Sequence, residues 1–168
     1  IDLMREIGTD VVELTGDHFS DYGPEAMYHT LEMYQEEGWS YYGGGSDITE
    51  AKQPLKITHN GNKIAFLGCN AKAPGYATAS ETNPGALHCN LDEMVDEIKS
   101  LKDEGYQVIF TFQHHEIYRW NPIEEMIADS RLMADSGATI VSGSQAHQPH
   151  MLEFYGESLI HYGLGNLF

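Results

Sequence analysis

The sequence has few basic residues for its length. Nine lysines and arginines stand against 26 aspartates and glutamates in 168 residues, which gives a net charge of −17. Nucleic acids and anionic lipids are bound through positively charged surfaces, so this balance argues against both as partners. It is compatible with cation binding, although a solvated acidic surface is the more common cause. No apolar run is long enough to cross a bilayer, and an apolar content of 41% is typical of a globular domain.

Several signatures of metal or catalytic sites are absent as well. The two cysteines, Cys69 and Cys89, do not form a Cys-x-x-Cys pair, which disfavours a thiolate zinc site. They are expected either to pair in an oxidising compartment or to stay as buried thiols. There is no Gly-x-Ser-x-Gly or His-Glu-x-x-His motif. The three glycines at 43–45 lack the following Lys-Ser/Thr of a phosphate-binding loop.

Residues 1–168 contain no internal repeat and no interdomain linker, so a single domain is expected. The sequence opens at Ile1 without an initiator methionine and directly in an amphipathic pattern. We therefore expect a fragment that lacks its N-terminal strands.

Apolar periodicity and turn signals predict an α/β fold with mixed sheets. Strands are predicted at 10–14, 39–42, 55–59, 63–68, 106–112, 138–141, 151–155 and 159–162, and helices at 1–7, 24–37, 46–53, 91–104 and from Asn121-Pro122 to about Gly137. Asn60-Gly61 predicts a hairpin, and Asn90 with Glu93 predicts a helix cap. The stretch 70–90 has no periodicity and is expected to be a surface loop.

Three polar motifs directly follow predicted strands. They are Asp17-His18, the segment Gln113-His114-His115-Glu116, and the turn after Val141 that carries Gln145, His147 and His150. Because loops at the carboxyl ends of parallel strands meet at one edge of a sheet, these motifs are expected to converge. Carboxylates hold hard cations and imidazoles bind metals or transfer protons, so metal or phosphate chemistry is predicted there.

Individually the motifs are less specific. Adjacent side chains on an extended segment point to opposite sides, so His114 and His115 are not expected to share one ion. Gln145 and His147 are spaced to lie on one side of an extended turn. Ser144 near His147 does not have the spacing of a recognised nucleophile and base.

Several segments along the whole chain match a known protein family in their order and spacing. The segments are 10–18 (Asp-Val-Val-Glu-Leu-Thr-Gly-Asp-His), 21–23 (Asp-Tyr-Gly), 30–31 (Thr-Leu), 43–45 (Gly-Gly-Gly), 63–68 (Lys-Ile-Ala-Phe-Leu-Gly), 137–147 and 160–168 (Ile-His-Tyr-Gly-Leu-Gly-Asn-Leu-Phe). Together they resemble the CapA-type family of poly-gamma-glutamate capsule biosynthesis proteins, which is similar in fold to calcineurin-like metallophosphatases. The resemblance implies a four-layer α/β/β/α sandwich with a two-metal site at one edge of the sheets.

The resemblance also implies roles for single residues. Asp17 matches the ligand of the second metal, where asparagine is usual, and His18 matches the adjacent histidine that assists the leaving group. His147 matches a ligand of the first metal. Gln145 stands where the family has another histidine.

Gln113 also stands where many members have a histidine, and a shift of one residue would put His114 there instead. If both glutamines replace histidines, the second metal loses its imidazoles, and a site with one metal or none follows. Glu116 and Gln145 are expected to orient water or substrate.

The expected function is therefore a role in capsule or cell-envelope polymer biosynthesis with metal-dependent phosphoester hydrolase or transferase chemistry. The expected cofactor is a divalent ion (Mn, Fe, Zn or Mg), and the expected partners are an anionic polymer or phosphorylated small molecule and other capsule-assembly proteins. The alternative is a non-catalytic binding or assembly component with a degenerate metal site. A third option is an amide hydrolase acting on a gamma-glutamyl polymer. The resemblance points to an extracytoplasmic location.

Overall fold

The computed structural model of the protein describes residues 1–72, 75 and 77–166. Its helices are α1 (Asp2–Glu6), α2 (Pro24–Glu37), α3 (Ile48–Ala51), α4 (Leu91–Asp103) and α5 (Glu124–Ser136), with a 3₁₀ helix at Asp17–Ser20. Its strands are β1 (Val11–Glu13), β2 (Ser40–Tyr42), β3 (Gly44–Gly45), β4 (Leu55–His59), β5 (Asn62–Asn70), β6 (Gly85–Ala86), β7 (Gln107–Gln113), β8 (Ala138–Ser144), β9 (Leu152–Tyr155) and β10 (Ser158–His161). Leu167 and Phe168, the end of the 160–168 motif, lie outside the described residues. Over the described ranges, no helix has both the length and the apolar character needed to cross a membrane.

A six-stranded mixed sheet organises the chain. Its strand order is β4-β5-β7-β8-β10-β9, with four parallel strands inside and an antiparallel strand at each edge. Helices α4 and α5 provide the crossovers from β5 to β7 and from β7 to β8. The predicted α/β class with mixed sheets is confirmed. The parallel strands end at the same edge, which is where the polar motifs were expected to meet.

The two faces of this sheet have different coverings. On one face, Phe110 and Phe112 of β7 are buried in a core that includes Ile98 of α4 and Met133 of α5. Thr111, which lies between these two residues on β7, points to the other face of the sheet. There the Tyr42 hydroxyl lies 2.8 Å from the Thr111 hydroxyl, so β2 packs against the sheet on that side.

Local sequence signals account for several element boundaries. The Asn60-Gly61 turn joins β4 to β5 with both residues at positive φ (49° and 80°), as a two-residue hairpin of this kind requires. The Asn90 side chain accepts a hydrogen bond from the backbone N–H of Glu93 at the start of α4. Pro24 opens α2, because its fixed φ suits a first helical turn. These predictions are confirmed.

Other boundaries differ from the prediction. Helix α5 begins at Glu124 with Ile123 in an extended conformation at its N-cap, so Asn121 does not cap it. Strand β8 continues through Gly143 to Ser144, so the glycine lies in the strand rather than in the turn.

The segment 70–90 was also predicted wrongly as a surface loop. It contributes β6 and the buried side chains of Ala79 and Leu87. A disulfide between Cys69 and Cys89 joins its ends, which settles the alternative that the sequence left open.

Gly143 is expected to be needed for the pairing of β8 with β10. A Cβ atom at this position would overlap the backbone carbonyl of Tyr162, which follows β10, and backbone atoms cannot rotate away. Gly143→Ala should therefore lower the free energy of unfolding by about 2 kcal/mol, measured by urea denaturation. Ser142→Ala, one residue earlier, should change it by less than about 0.5 kcal/mol. Equal effects of the two substitutions would contradict this assignment.

Candidate functional site

The carboxyl ends of the parallel strands bring several polar residues to one edge. In register across the sheet, Asn70 of β5 lies beside Gln113 of β7, and Gln113 lies beside Ser144 of β8. The loop after β1 carries Asp17 to the same place, because the Asp17 carboxylate contacts the Gln113 side chain. Two motifs separated by 96 residues therefore meet, in the way the strand-end argument predicts.

Asp17 is held on both carboxylate oxygens. Gln113 Nε2 donates to Asp17 Oδ1 over 2.5 Å, and Lys72 Nζ donates to Asp17 Oδ2 over 2.7 Å. Partial burial raises the pKa of Asp17, but the hydrogen bonds from Lys72 and Gln113 and the positive charge of Lys72 outweigh it and leave the pKa lowered. Asp17 is therefore an ionised carboxylate with an ammonium partner at neutral pH.

A network of polar groups, of which Thr15 and Asn70 are buried, positions Lys72. The Glu13 carboxylate accepts hydrogen bonds from the backbone N–H and the hydroxyl of Thr15. The carbonyl of Thr15 accepts from Asn70 Nδ2 over 2.8 Å, and Asn70 Oδ1 accepts from the Lys72 backbone N–H over 2.9 Å. Burial raises the pKa of Glu13, although its hydrogen bonds from Thr15 oppose the rise. These hydrogen bonds connect the ends of β1 and β5, the segments that lead to Asp17 and Lys72.

The sequence reasoning did not find Asn70, Lys72 or Glu13. Asn70 and Lys72 stand at the end of β5, a parallel strand, so the same strand-end rule applied to this strand would have found them. Glu13 had no comparable signal, because an acid in a short strand of an acidic chain is not distinctive.

His18 lies at the outer side of this cluster. Its side chain is 71% exposed, and its Nδ1 lies 2.9 Å from Asp21 Oδ2. An exposed imidazole oriented by a carboxylate is suited to proton transfer to a bound group.

Gln113 and His114 point to opposite faces of the sheet. Gln113 faces Asp17, whereas the His114 ring packs 4.9 Å from the Phe112 ring and its Nε2 lies 3.5 Å from Asp129 Oδ2 of α5. In this register Gln113, and not His114, contacts Asp17. His114 is buried on the helix side and is not brought to Asp17.

A second pair forms between the loops after β7 and β8. His147 Nε2 lies 3.9 Å from Glu116 Oε2, and Tyr118 donates to the same Glu116 oxygen over 3.0 Å. Gln145 begins the turn with a left-handed φ of 74°, which turns the chain toward His147. His150 is buried, and its Nε2 lies 3.3 Å from the Ile117 carbonyl oxygen, so it does not face solvent.

The Glu116–His147 pair and the Asp17–Lys72 pair differ in how well they suit a metal ion. Among the residues that the structure describes, no three His, Cys, Asp or Glu side chains are grouped to hold an ion. Glu116 and His147 offer a carboxylate and an imidazole that suit one divalent cation, and further ligands would be needed to complete its coordination. At Asp17 both oxygens are engaged by N–H donors, one of them an ammonium, which does not fit a second cation.

Comparison with known proteins identifies the family. The family model described as "Bacterial capsule synthesis protein PGA_cap" matches residues 1–168. The chain belongs to this family. Among curated family members, it is 30% identical over 170 residues to "Capsule biosynthesis protein CapA" of Bacillus anthracis, covering 97% of this chain and 41% of that protein. It is 26% identical over 168 residues to "PGA biosynthesis protein CapA" of Bacillus subtilis (strain 168), covering 99% of this chain and 44% of that protein. The chain thus spans about two fifths of the length of these two relatives.

Proposed function

We propose that this family member takes part in the biosynthesis of an anionic capsule or cell-envelope polymer of the poly-gamma-glutamate type. Its site at the carboxyl edge would bind the polymer or a phosphorylated precursor. The main supporting observation is that Asp17, Lys72 and Gln113 meet at that edge, where the Lys72 ammonium and the Gln113 amide both donate to the Asp17 carboxylate. The family and the names of the relatives support the polymer class. Other capsule-assembly proteins would be its partners.

The four-layer sandwich is part of this proposal. The packing of β2 on one face of the main sheet, through Tyr42 and Thr111, and of α4 and α5 on the other supports it. A domain of this kind places its site at the strand ends, as in the metallophosphatases that the sequence resembles.

The first candidate chemistry is metal-dependent hydrolysis or transfer at a phosphoester. Glu116 and His147 would hold a divalent ion (Mn, Fe, Zn or Mg), which when bound supplies a Lewis acid and activates water. His18 would give a proton to the leaving oxygen, since it is exposed and oriented by Asp21. Gln145 would orient the substrate from the turn after β8.

The second candidate is a non-catalytic binding or assembly component. It is favoured by the Asp17–Lys72 ion pair, because a carboxylate that holds an ammonium is not free to hold a metal. In this case the edge would bind the polymer without turning it over.

Replacement of His147 separates the two candidates. If the site is a metal-dependent hydrolase, His147→Ala should lower divalent-cation affinity by about tenfold or more and abolish phosphodiester turnover. His29→Ala, which removes an exposed histidine of α2, should change neither. Metal content by elemental analysis and turnover of a phosphodiester and of a gamma-glutamyl amide are the measurements. Amide turnover alone would favour the third option, and polymer binding without turnover of either substrate would favour the binding component.

An extracytoplasmic location belongs to the same proposal. The Cys69–Cys89 disulfide supports it, because such bonds persist in oxidising compartments and are rare in the cytosol.

A further inference from the structure

Lys72 lies where the family resemblance places a second metal. The resemblance assigns Asp17 to that metal and puts Gln113 beside it, and the structure brings these two side chains together. The Lys72 ammonium is bonded to Asp17 at 2.7 Å. A metal at this position would need the carboxylate oxygen that Lys72 now uses.

The ammonium is held there by more than its own flexible side chain. Its backbone N–H is bonded to Asn70, and Asn70 is bonded to the carbonyl of Thr15. The Lys72 side chain is 20% exposed and that of Asp17 is 23% exposed, so both partners are partly shielded from solvent. Charge pairs in such surroundings are screened less than pairs on an open surface.

We propose that the Lys72 ammonium replaces the second divalent cation of the family's site and is itself the contact for an oxyanion of the ligand. This inference rests on the proposed function for the kind of ligand, but its claim on cation binding rests on the Asp17–Lys72 contact and the family resemblance, whatever the ligand is. An ammonium has three N–H donors, and one is used by Asp17. The other donors can bind a carboxylate or a phosphate oxygen at the exposed side of the pair.

Replacing Lys72 by methionine tests the cation claim. Lys72→Met keeps the length and packing of the side chain but frees one Asp17 oxygen. The Gln113 amide can then turn its oxygen toward the same ion, with water as the remaining ligands, so the variant should bind one additional equivalent of Mn²⁺, measured by titration calorimetry. Lys72→Arg keeps the charge and should not gain this equivalent. The matched control is Lys52→Met, which breaks a Lys–Glu ion pair of 2.8 Å with Glu93 elsewhere on the surface and should leave Mn²⁺ binding unchanged.

Replacing Asp17 keeps the test decisive if Lys72→Met does not fold. In the otherwise unchanged chain, Asp17→Asn should leave Mn²⁺ stoichiometry and affinity as they are, because Asp17 does not hold a cation. A loss of Mn²⁺ binding in Asp17→Asn would overturn the proposal. Equal Mn²⁺ binding by Lys72→Met and the wild type would overturn it as well.

The anion claim is tested with two probes in the absence of divalent ions. Lys72→Met should weaken binding of inorganic phosphate or of a gamma-glutamyl oligomer by about tenfold or more, as expected for loss of a charge-assisted hydrogen bond. The probe that is weakened identifies whether the oxyanion is a phosphate or a carboxylate. No change with either probe would overturn the anion claim.

Failure of this inference can be told apart from failure of the proposed function. Gain of a Mn²⁺ equivalent by Lys72→Met in a chain that binds no capsule-type polymer would refute the function and leave the cation claim intact. Polymer binding that is unaffected by Lys72→Met, together with unchanged Mn²⁺ binding, would do the reverse.

Discussion

Loss of the Cys69–Cys89 disulfide is expected to lower the free energy of unfolding by about 3 kcal/mol. The bond closes a loop with a sequence separation of 20, and a cross-link of this size restricts the unfolded chain by about that amount. The bond also anchors a segment that has little regular structure of its own, in which the Cys89 N–H donates to the Asn70 carbonyl. Cys69 immediately precedes Asn70, so loosening this end of β5 should also disturb Lys72.

Urea denaturation with and without reductant measures this effect. The wild-type chain should unfold at a lower urea concentration in reductant, whereas the double variant Cys69→Ala/Cys89→Ala should be weakened equally in both conditions. The double variant controls for direct effects of reductant on the rest of the chain. An identical midpoint for oxidised and reduced wild type would show that the bond does not stabilise the fold.

Local sequence signals predicted those parts of the fold that depend on nearby residues. The Asn60-Gly61 turn and the Asn90 cap follow from the conformations that these side chains favour, whatever the rest of the chain does. The start of α5 was missed because the prediction read Asn121-Pro122 as a cap, whereas Ile123 is still extended. Strand β6 and the buried side chains within 70–90 were missed because a disulfide and a long-range strand pairing hold them in place, and neither leaves a periodic pattern in the sequence.

The candidate site was predictable only in outline. Strand-end loops predicted that Asp17 and Gln113 would converge, and the structure shows this contact. Whether Gln113 or His114 faces Asp17 depends on the strand register, since a slip of one residue exchanges the faces. The strand-end rule applied to β5 would have placed Lys72 at this edge, but no spacing in the sequence encodes its pairing with Asp17 across 55 residues. The roles of these residues in binding or catalysis stay predictions.

His114 is expected to make the fold sensitive to acid. Burial against Phe112 and α5 lowers its pKa from 6.5 to about 4. Burial also raises the pKa of Asp129, which lies 3.5 Å away, so both shifts disfavour the charged forms and the contact is not a strong ion pair. Because the folded-state pKa of His114 is depressed, the unfolded chain takes up the proton first. The stability that neutral His114 provides is complete above about pH 6.5 and is lost as the pH falls toward 4.

The difference between the two pKa values corresponds to about 3 kcal/mol of stability lost across that range. His114→Gln removes the titrating group, so between pH 7 and pH 4 the wild type should lose about 3 kcal/mol more than this variant, measured by urea denaturation at each pH. His29→Gln, at an exposed position of α2 that does not contribute to the lowered pKa of His114, should follow the wild-type curve. Carboxylates such as Asp17 also lose stabilising contacts in acid, but they do so in all three proteins, so the difference isolates His114. If the free energy of unfolding falls with pH equally in the wild type and in His114→Gln, the pKa of His114 does not differ between the folded and unfolded chains. The protonated imidazole must then have a partner in the fold, such as Asp129.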